Sequence, residues 1–249
     1  MSEKFIFEFF EAMPRQGPGA REFTLKAIDS VKSNLPANPI FLDIGCGNGA
    51  QTYDIMSTIP SANMTAIDMH QPFLDMVEQK VGSIENLSGS LSTFMISMDK
   101  LDFAPDSIDL IWSEGAIYII GFTKGLSDWQ KFIKSGGYMV ISEAVWIKPD
   151  PPQIIKDFWE SEYPEIGTIQ EKIKTIQQLG LEPVSHFTLP VSIWSDDFYL
   201  PMQKLIDDFR KKSDKKEMHD FLDGMQHEVD MFRQFGEYYS YEYFVIRRN

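Results

Sequence analysis

One short segment limits this chain more than any other. Asp43-Ile44-Gly45-Cys46-Gly47-Asn48-Gly49 directly follows the apolar run Ile40-Phe41-Leu42. An apolar run of that length, with Pro36 and Pro39 just upstream, reads as a buried strand of the kind found inside a parallel sheet. Glycines at alternate positions supply the positive φ angles or the close backbone approaches that other residues resist. A helix face of Tyr53, Met56 and Ile59 follows and stops at Pro60. Its N-terminus would present unpaired N–H donors to anything seated above the turn.

Helix and strand signals alternate on both sides of this segment. Residues 21–32 space Leu25, Ile28 and Val31 as an amphipathic helix. Residues 64–67 predict a second strand ending at Asp68, and Pro72 opens a helix carrying Phe73 and Val77. Residues 91–98 predict a third strand and 108–112 a fourth. Leu126, Trp129 and Ile133 predict a helix capped by Gly136 and Gly137, and 138–145 a fifth strand. The alternation implies right-handed crossovers and a mostly parallel sheet. From Trp146 to Gly180 the composition changes, with Pro149, Pro151, Pro152 and Pro164 among Trp146, Phe158, Trp159 and Tyr163, which predicts an insertion or lid. A strand over 181–189, a helical segment over 201–235 and a strand over 239–247 complete about seven strands.

Composition narrows the partners. The chain has 249 residues, 43% hydrophobic and 13% aromatic, enough apolar surface for one sizeable α/β core. Its net charge of −14 repels phosphate backbones and anionic membranes, so neither nucleic acid nor a membrane is an expected partner. A single cysteine, Cys46, forms no internal disulfide and is too little for a Cys-based zinc site; a reducing cytoplasm is the expected location. The first residues lack the basic-then-apolar order of a secretion signal, and the longest apolar run, 115–122, is far below the roughly 18 residues of a membrane span. The four histidines are scattered, and His219 and His227 are too far apart for an i, i+4 metal pair; no metal is expected. The run Lys211-Lys212-Ser213-Asp214-Lys215-Lys216 reads as a solvated helix junction.

Two cofactor classes use a glycine turn with a carboxylate at the end of the next strand. Asp68, nineteen residues beyond Gly49, is placed to accept the hydroxyls of a ribose. A dinucleotide fingerprint, however, spaces its glycines as Gly-x-Gly-x-x-Gly, whereas here they fall at 45, 47 and 49. Asp43 would also repel a pyrophosphate and attract an ammonium. Both observations point away from NAD.

An acidic residue followed by Gly-x-Gly-x-Gly resembles the first motif of the class I S-adenosylmethionine-dependent methyltransferases, and the resemblance extends in ordered motifs over residues 38–146. Asp68 occupies that family's ribose-binding position. Met98 and Asp99 occupy the place where an amide and a carboxylate meet the adenine. Ile133-Lys134-Ser135-Gly136-Gly137-Tyr138 is similar to the family's Leu-Lys-Pro-Gly-Gly turn, with Ser135 in place of proline. Residues 112–118 resemble a bacterial small-molecule-type subgroup.

The resemblance implies a Rossmann-like seven-stranded, mostly parallel sheet flanked by helices, with the last strand antiparallel. It would form one domain: a helical cover over 1–35, a cofactor core over 36–146, the insertion over 147–180 and sheet completion over 181–249. It also implies S-adenosylmethionine as cofactor and a cofactor set of Asp43, Gly45, Cys46, Gly47, Gly49, Asp68, Met69, Met98, Asp99 and Ser113.

The sulfonium already activates its methyl group, so such a protein has to position an acceptor and exclude water, with a general base optional. Glu114, Tyr118 and Glu143 lie after or within strands whose carboxyl ends would border the acceptor, and they are the candidates to orient or deprotonate it. Arg15, in a Pro-Gly loop, reads as solvent-facing, with pairing to a carboxylate of cofactor or substrate as the alternative. His70 reads as a plain loop residue. The aromatic set Phe5, Phe7, Phe9, Phe10, Trp146, Phe158, Trp159, Trp194, Phe198 and Tyr199 reads mostly as core or lid packing, with the lining of an apolar or cationic substrate pocket as the alternative. The expected activity is direct methyl transfer to a small-molecule acceptor, with a non-catalytic sensor of the cofactor or its product as the other reading. Monomer and homodimer are both open, as is the acceptor atom.

Overall fold

The computed structural model describes residues 4–212 and 214–249. Seven strands run in the order β3-β2-β1-β4-β5-β8-β7. They are β1 (Ile40–Ile44), β2 (Asn63–Asp68), β3 (Ser90–Met95), β4 (Ile108–Glu114), β5 (Ile133–Trp146), β7 (Leu181–Thr188) and β8 (Tyr239–Arg248). The two-residue β6 (Gly167–Thr168) pairs with β5 off the main path. β8 pairs antiparallel with both β5 and β7, so it alone runs against the others, as the sequence predicts for the last strand.

Helices cover both faces, which is why the central strands are apolar on both sides. On one side lie α1 (Lys4–Glu11), α2 (Arg21–Asp29), α3 (Ala50–Thr58), α4 (Gln71–Gly82), α8 (Leu200–Arg210) and α9 (Lys216–Phe235), whose Phe9, Ile28, Ile55, Val77, Ile206 and Leu222 share one core. On the other lie α5 (Phe122–Trp129) and α7 (Ile169–Gln178), where Leu126, Trp129 and Ile176 meet Leu42, Ile111 and Ile141. The strand order turns back between β1 and β4, and that reversal opens a crevice at their carboxyl ends.

Four expectations need correction. The helix of residues 122–129 stops at Trp129, and β5 already begins at Ile133. Gly136 and Gly137 are therefore not helix caps: between the pairs Ile108↔Ile133 and Leu110↔Tyr138, β5 carries a bulge, and Gly136 takes φ +78° inside it. The predicted third strand ends at Met95, and residues 96–99 form a loop instead. Residues 201–235 are two helices, α8 and α9, rather than one, broken at the lysine run; Ser213 of that run lies outside the described residues. Within the predicted insertion, α7 is an ordinary crossover helix leading into β7, which leaves α6 (Gln153–Glu162) and the residues around it as the added part. No helix among the described residues is long and apolar enough to cross a membrane.

Candidate functional site

The glycine turn leaves β1 and is tied at once to its neighbour: Gly45 and Cys46 donate backbone N–H bonds to the Ile67 carbonyl at 2.9 and 3.0 Å. Gly45, Gly47 and Gly49 all have positive φ, at 71°, 51° and 78°. A methyl group on Gly45 would sit 2.5 Å from the Ala116 Cβ, one on Gly47 2.6 Å from the Gln16 Oε1, and one on Gly49 2.7 Å from the Val77 Cγ2. The close approaches that demand glycine are thus made by the chain's own residues. Gly49 is the N-cap of α3 against Val77 and is not on the cavity wall.

Asp43 lies under this turn, not in the cavity. Its side chain is fully buried, accepting from the Thr52 hydroxyl at 2.5 Å and from the Gln51 amide at 3.4 Å. Burial pushes its carboxyl up to about 7, against the lowering effect of the Thr52 bond. Gln51 also donates to the Cys46 carbonyl at 3.0 Å, so Asp43 braces the turn from below. The expectation that Asp43 meets a ligand directly is corrected on this point. Cys46 is 1% exposed with its thiol pushed up by burial; it fills the turn without reactivity.

Above the turn is a cavity of about 590 Å³ at the carboxyl ends of β1, β2 and β4. Gly45, Cys46, Gly47, Asp68, Met69, Met98 and Asp99 of the predicted cofactor set line it, with Ile67, Phe73 and Ile96 as apolar wall. Asp68 accepts from the Gly47 N–H on Oδ2 and from the His70 N–H on Oδ1, both at 3.0 Å. Burial raises its carboxyl, and these backbone bonds oppose the rise. A carboxylate accepts about four hydrogen bonds, so capacity for hydroxyl donors remains. The loop after β3 is pinned by Trp129, whose indole donates to the Met98 carbonyl at 3.0 Å, and Ser97 donates to Asp99, which holds that carboxyl below its ordinary range.

The roof is the N-terminal segment, and here sequence reasoning missed most. Arg15 is not solvent-facing. Its side chain is 14% exposed, bonded to Glu114 Oε2 at 3.0 Å and Asp54 Oδ2 at 3.4 Å, and it lines the cavity. Arg21 holds the other oxygen of Asp54 at 2.6 Å. Gln16 accepts from the Asn48 N–H at 2.7 Å, stitching the roof to the glycine turn. His70 also does more than cap a loop: its Nε2 is 2.6 Å from Glu11, and its ring stacks on Phe7 at 4.4 Å. The available signal was Asp54, a charged residue on the buried face of α3.

Of the candidate acid–base groups, Glu114 lines the cavity with most of its acceptor capacity used: beyond Arg15 it accepts from Thr24 and from the Trp112 indole, each at 2.9 Å. Ser113 is off the wall, fully buried and donating to the Ile44 carbonyl at 3.0 Å, a tie between β4 and β1. Glu143 is 1% exposed on the opposite face of the sheet. It accepts from Lys172 of α7 at 2.7 Å and from the Tyr163 hydroxyl, and it too is absent from the wall. Its role as an acceptor base is corrected: it anchors the segment after α6. Tyr118 lines the cavity and also a smaller chamber of about 180 Å³ beyond it, the two sharing Phe10, Gln16, Gly17, Pro18, Gly115 and Tyr118.

A glycine turn at the reversal point of a parallel sheet, a carboxylate ending β2 and a carboxylate loop after β3 are arranged as in a Rossmann-like fold. Residues 42–141 match the family described as a methyltransferase domain. The chain is 33% identical over 103 residues to a malonyl-[acyl-carrier protein] O-methyltransferase of Ilyobacter polytropus, a match covering 41% of this chain and 38% of that protein. The fold is shared along nearly the whole length with an S-adenosylmethionine-dependent methyltransferase of Geobacter sulfurreducens in complex with S-adenosylhomocysteine (TM-score 0.81, 17% identity, 98% of each chain). It is also shared with YjhP of E. coli (TM-score 0.80, 17% identity, 98% of this chain and 99% of that one).

Proposed function

We propose that this chain transfers a methyl group from S-adenosylmethionine directly to a small-molecule acceptor. The observation that carries this reading is the cavity of about 590 Å³, because one enclosure brings together groups suited to each part of that cofactor. Asp68 offers acceptor oxygens for ribose hydroxyls, and the pinned loop at Met98 and Asp99 with Ile67 and Ile96 offers a flat apolar slot for a base. Arg15 is a cation at the wall for a carboxylate. The sulfonium supplies the activated methyl group. The protein's own tasks are to hold both partners and to limit water at the reacting atoms, and Arg15, Gln16, Gly17 and Pro18 line the cavity beside the glycine turn.

Support for a small acceptor comes from enclosure. The way out of the cavity past Tyr118 leads into a chamber of about 180 Å³ roofed by α6, α9 and the turn before α8, too small for a folded protein or a duplex. The test is incubation of the full chain with methyl-labelled S-adenosylmethionine and a deproteinised metabolite extract. Label is expected in the low-mass fraction; binding of the donor with no label leaving it contradicts the proposal and favours a sensor.

A further inference from the structure

We propose that the chamber beyond Tyr118 binds a small ammonium compound, and that this compound is the methyl acceptor; the second half of the statement rests on the methyltransferase reading. The walls are aromatic, with Phe158, Trp159, Trp194, Phe198 and Tyr241 around the space. Two carboxylates, Glu162 of α6 and Glu228 of α9, face the same space, and no Lys, Arg or His is among the residues lining it. Neither carboxylate has an ion pair among the described residues; Glu228 accepts only a hydroxyl bond, from Tyr199 at 2.9 Å.

The physical consequence follows from sign and medium. Glu228 is half-buried and Glu162 is exposed at the rim; the two like charges border one space and lack a counter-ion among the described residues. Burial raises the Glu228 carboxyl, and Glu162 raises it further; the Tyr118 hydroxyl at the mouth is raised by burial and then by both. A cation relieves all of these at once. Aromatic faces attract ammonium groups, most strongly where water is excluded, and Trp194 is only 2% exposed. An anion would face two carboxylates with no basic group beside them. The volume, about 180 Å³, suits a small amine.

In the transfer this implies, the amine first gives its proton to a carboxylate of the chamber. Its nitrogen lone pair then forms the new N–C bond while the methyl carbon's bond to sulfur breaks and leaves its electron pair on sulfur. The charge lost by the sulfonium reappears on the methylated nitrogen.

Calorimetry on the full chain, with and without saturating S-adenosylhomocysteine, tests the assignment with two matched sets: phenethylamine, 2-phenylethanol and 3-phenylpropionate; and tetramethylammonium with tert-butanol. In at least one set the ammonium member is expected to bind about tenfold tighter than its neutral partner, with the carboxylate not binding. Glu228→Gln should erase that preference without changing the affinity for S-adenosylhomocysteine; if this variant fails to fold, Glu162→Gln and Trp159→Leu should each reduce it. Equal affinities in both sets, tighter binding of 3-phenylpropionate, or no ammonium binding up to about 10 mM overturns the proposal. If S-adenosylhomocysteine itself does not bind, the methyltransferase reading fails, while an ammonium preference measured without it still assigns the chamber. If S-adenosylhomocysteine binds and the preference is missing, the chamber assignment alone fails.

Discussion

The two enclosures on either side of Tyr118 are built by opposite means. The larger one is made from consecutive strand ends, and its polar contacts are largely backbone: Gly47 and His70 amides fix Asp68, and the Met98 carbonyl is pinned by Trp129. The smaller one is made mostly of side chains from α6, α8, α9, β5, β8 and the turn before α8, among which rings and two carboxylates predominate. A backbone cradle suits one invariant ligand, and a side-chain cage suits whichever acceptor its residues select. This division is what a cofactor site beside a substrate site requires.

The largest expected effect separates the two enclosures through Lys172, which is 4% exposed and pairs with Glu143 behind the cage residue Tyr163. Lys172→Met leaves a buried carboxylate without its cation and should lower stability by about 3–5 kcal/mol, whereas pairing it with Glu143→Leu should recover most of the loss. Chemical denaturation of both variants checks this; equal losses would mean that the ion pair is not what destabilises the single variant. In folded protein at low denaturant, affinity for S-adenosylhomocysteine should be nearly unchanged in both.

Asp43 sharpens the comparison from beneath the larger site. Its folded carboxyl titrates near 7 against an ordinary 3.8, so its contribution to stability is complete below 3.8, falls as pH rises towards about 7 and is constant above. Asp43→Asn removes this penalty. Relative to the parent chain, the variant's stability should climb across that window by roughly 2–4 kcal/mol. Parallel pH profiles would show that burial does not shift this group.

Smaller effects are expected on the cavity wall. Asp68→Ala should weaken S-adenosylhomocysteine binding by about 1–3 kcal/mol through lost charge-assisted hydrogen bonds, with little change in the ammonium preference next door. Arg15→Gln should weaken it about tenfold and also release Glu114, so the N-terminal segment should become more sensitive to limited proteolysis. An unchanged dissociation constant in either variant would remove that residue from the cofactor site.

The larger site was legible because it is local. Each of its pieces, from the glycine turn to Asp68 to Met98 and Asp99, sits at the end of a strand whose apolar run announces it, and strand ends converge in a parallel sheet. The bulge at Gly136 was read as a helix cap because a positive-φ glycine serves both equally well. The ion pair of Arg15 and Glu114 joins residues 99 apart, and nothing in either neighbourhood encodes it. The cage was legible only in part: Phe158, Trp159, Trp194 and Phe198 belong to the aromatic set with a pocket among its readings, but no spacing distinguishes a wall from a core, and Tyr241 and the two carboxylates carried no signal. Glu143 was assigned to the acceptor by its place near the end of β5, but strand alternation turned it to the opposite face.

The most direct measurement is a calorimetric titration of the full chain with S-adenosylhomocysteine. Saturable binding at a single site, weakened by Asp68→Ala, is the expected result. A folded chain that takes up no ligand at millimolar concentration would contradict the assignment of the glycine-turn cavity.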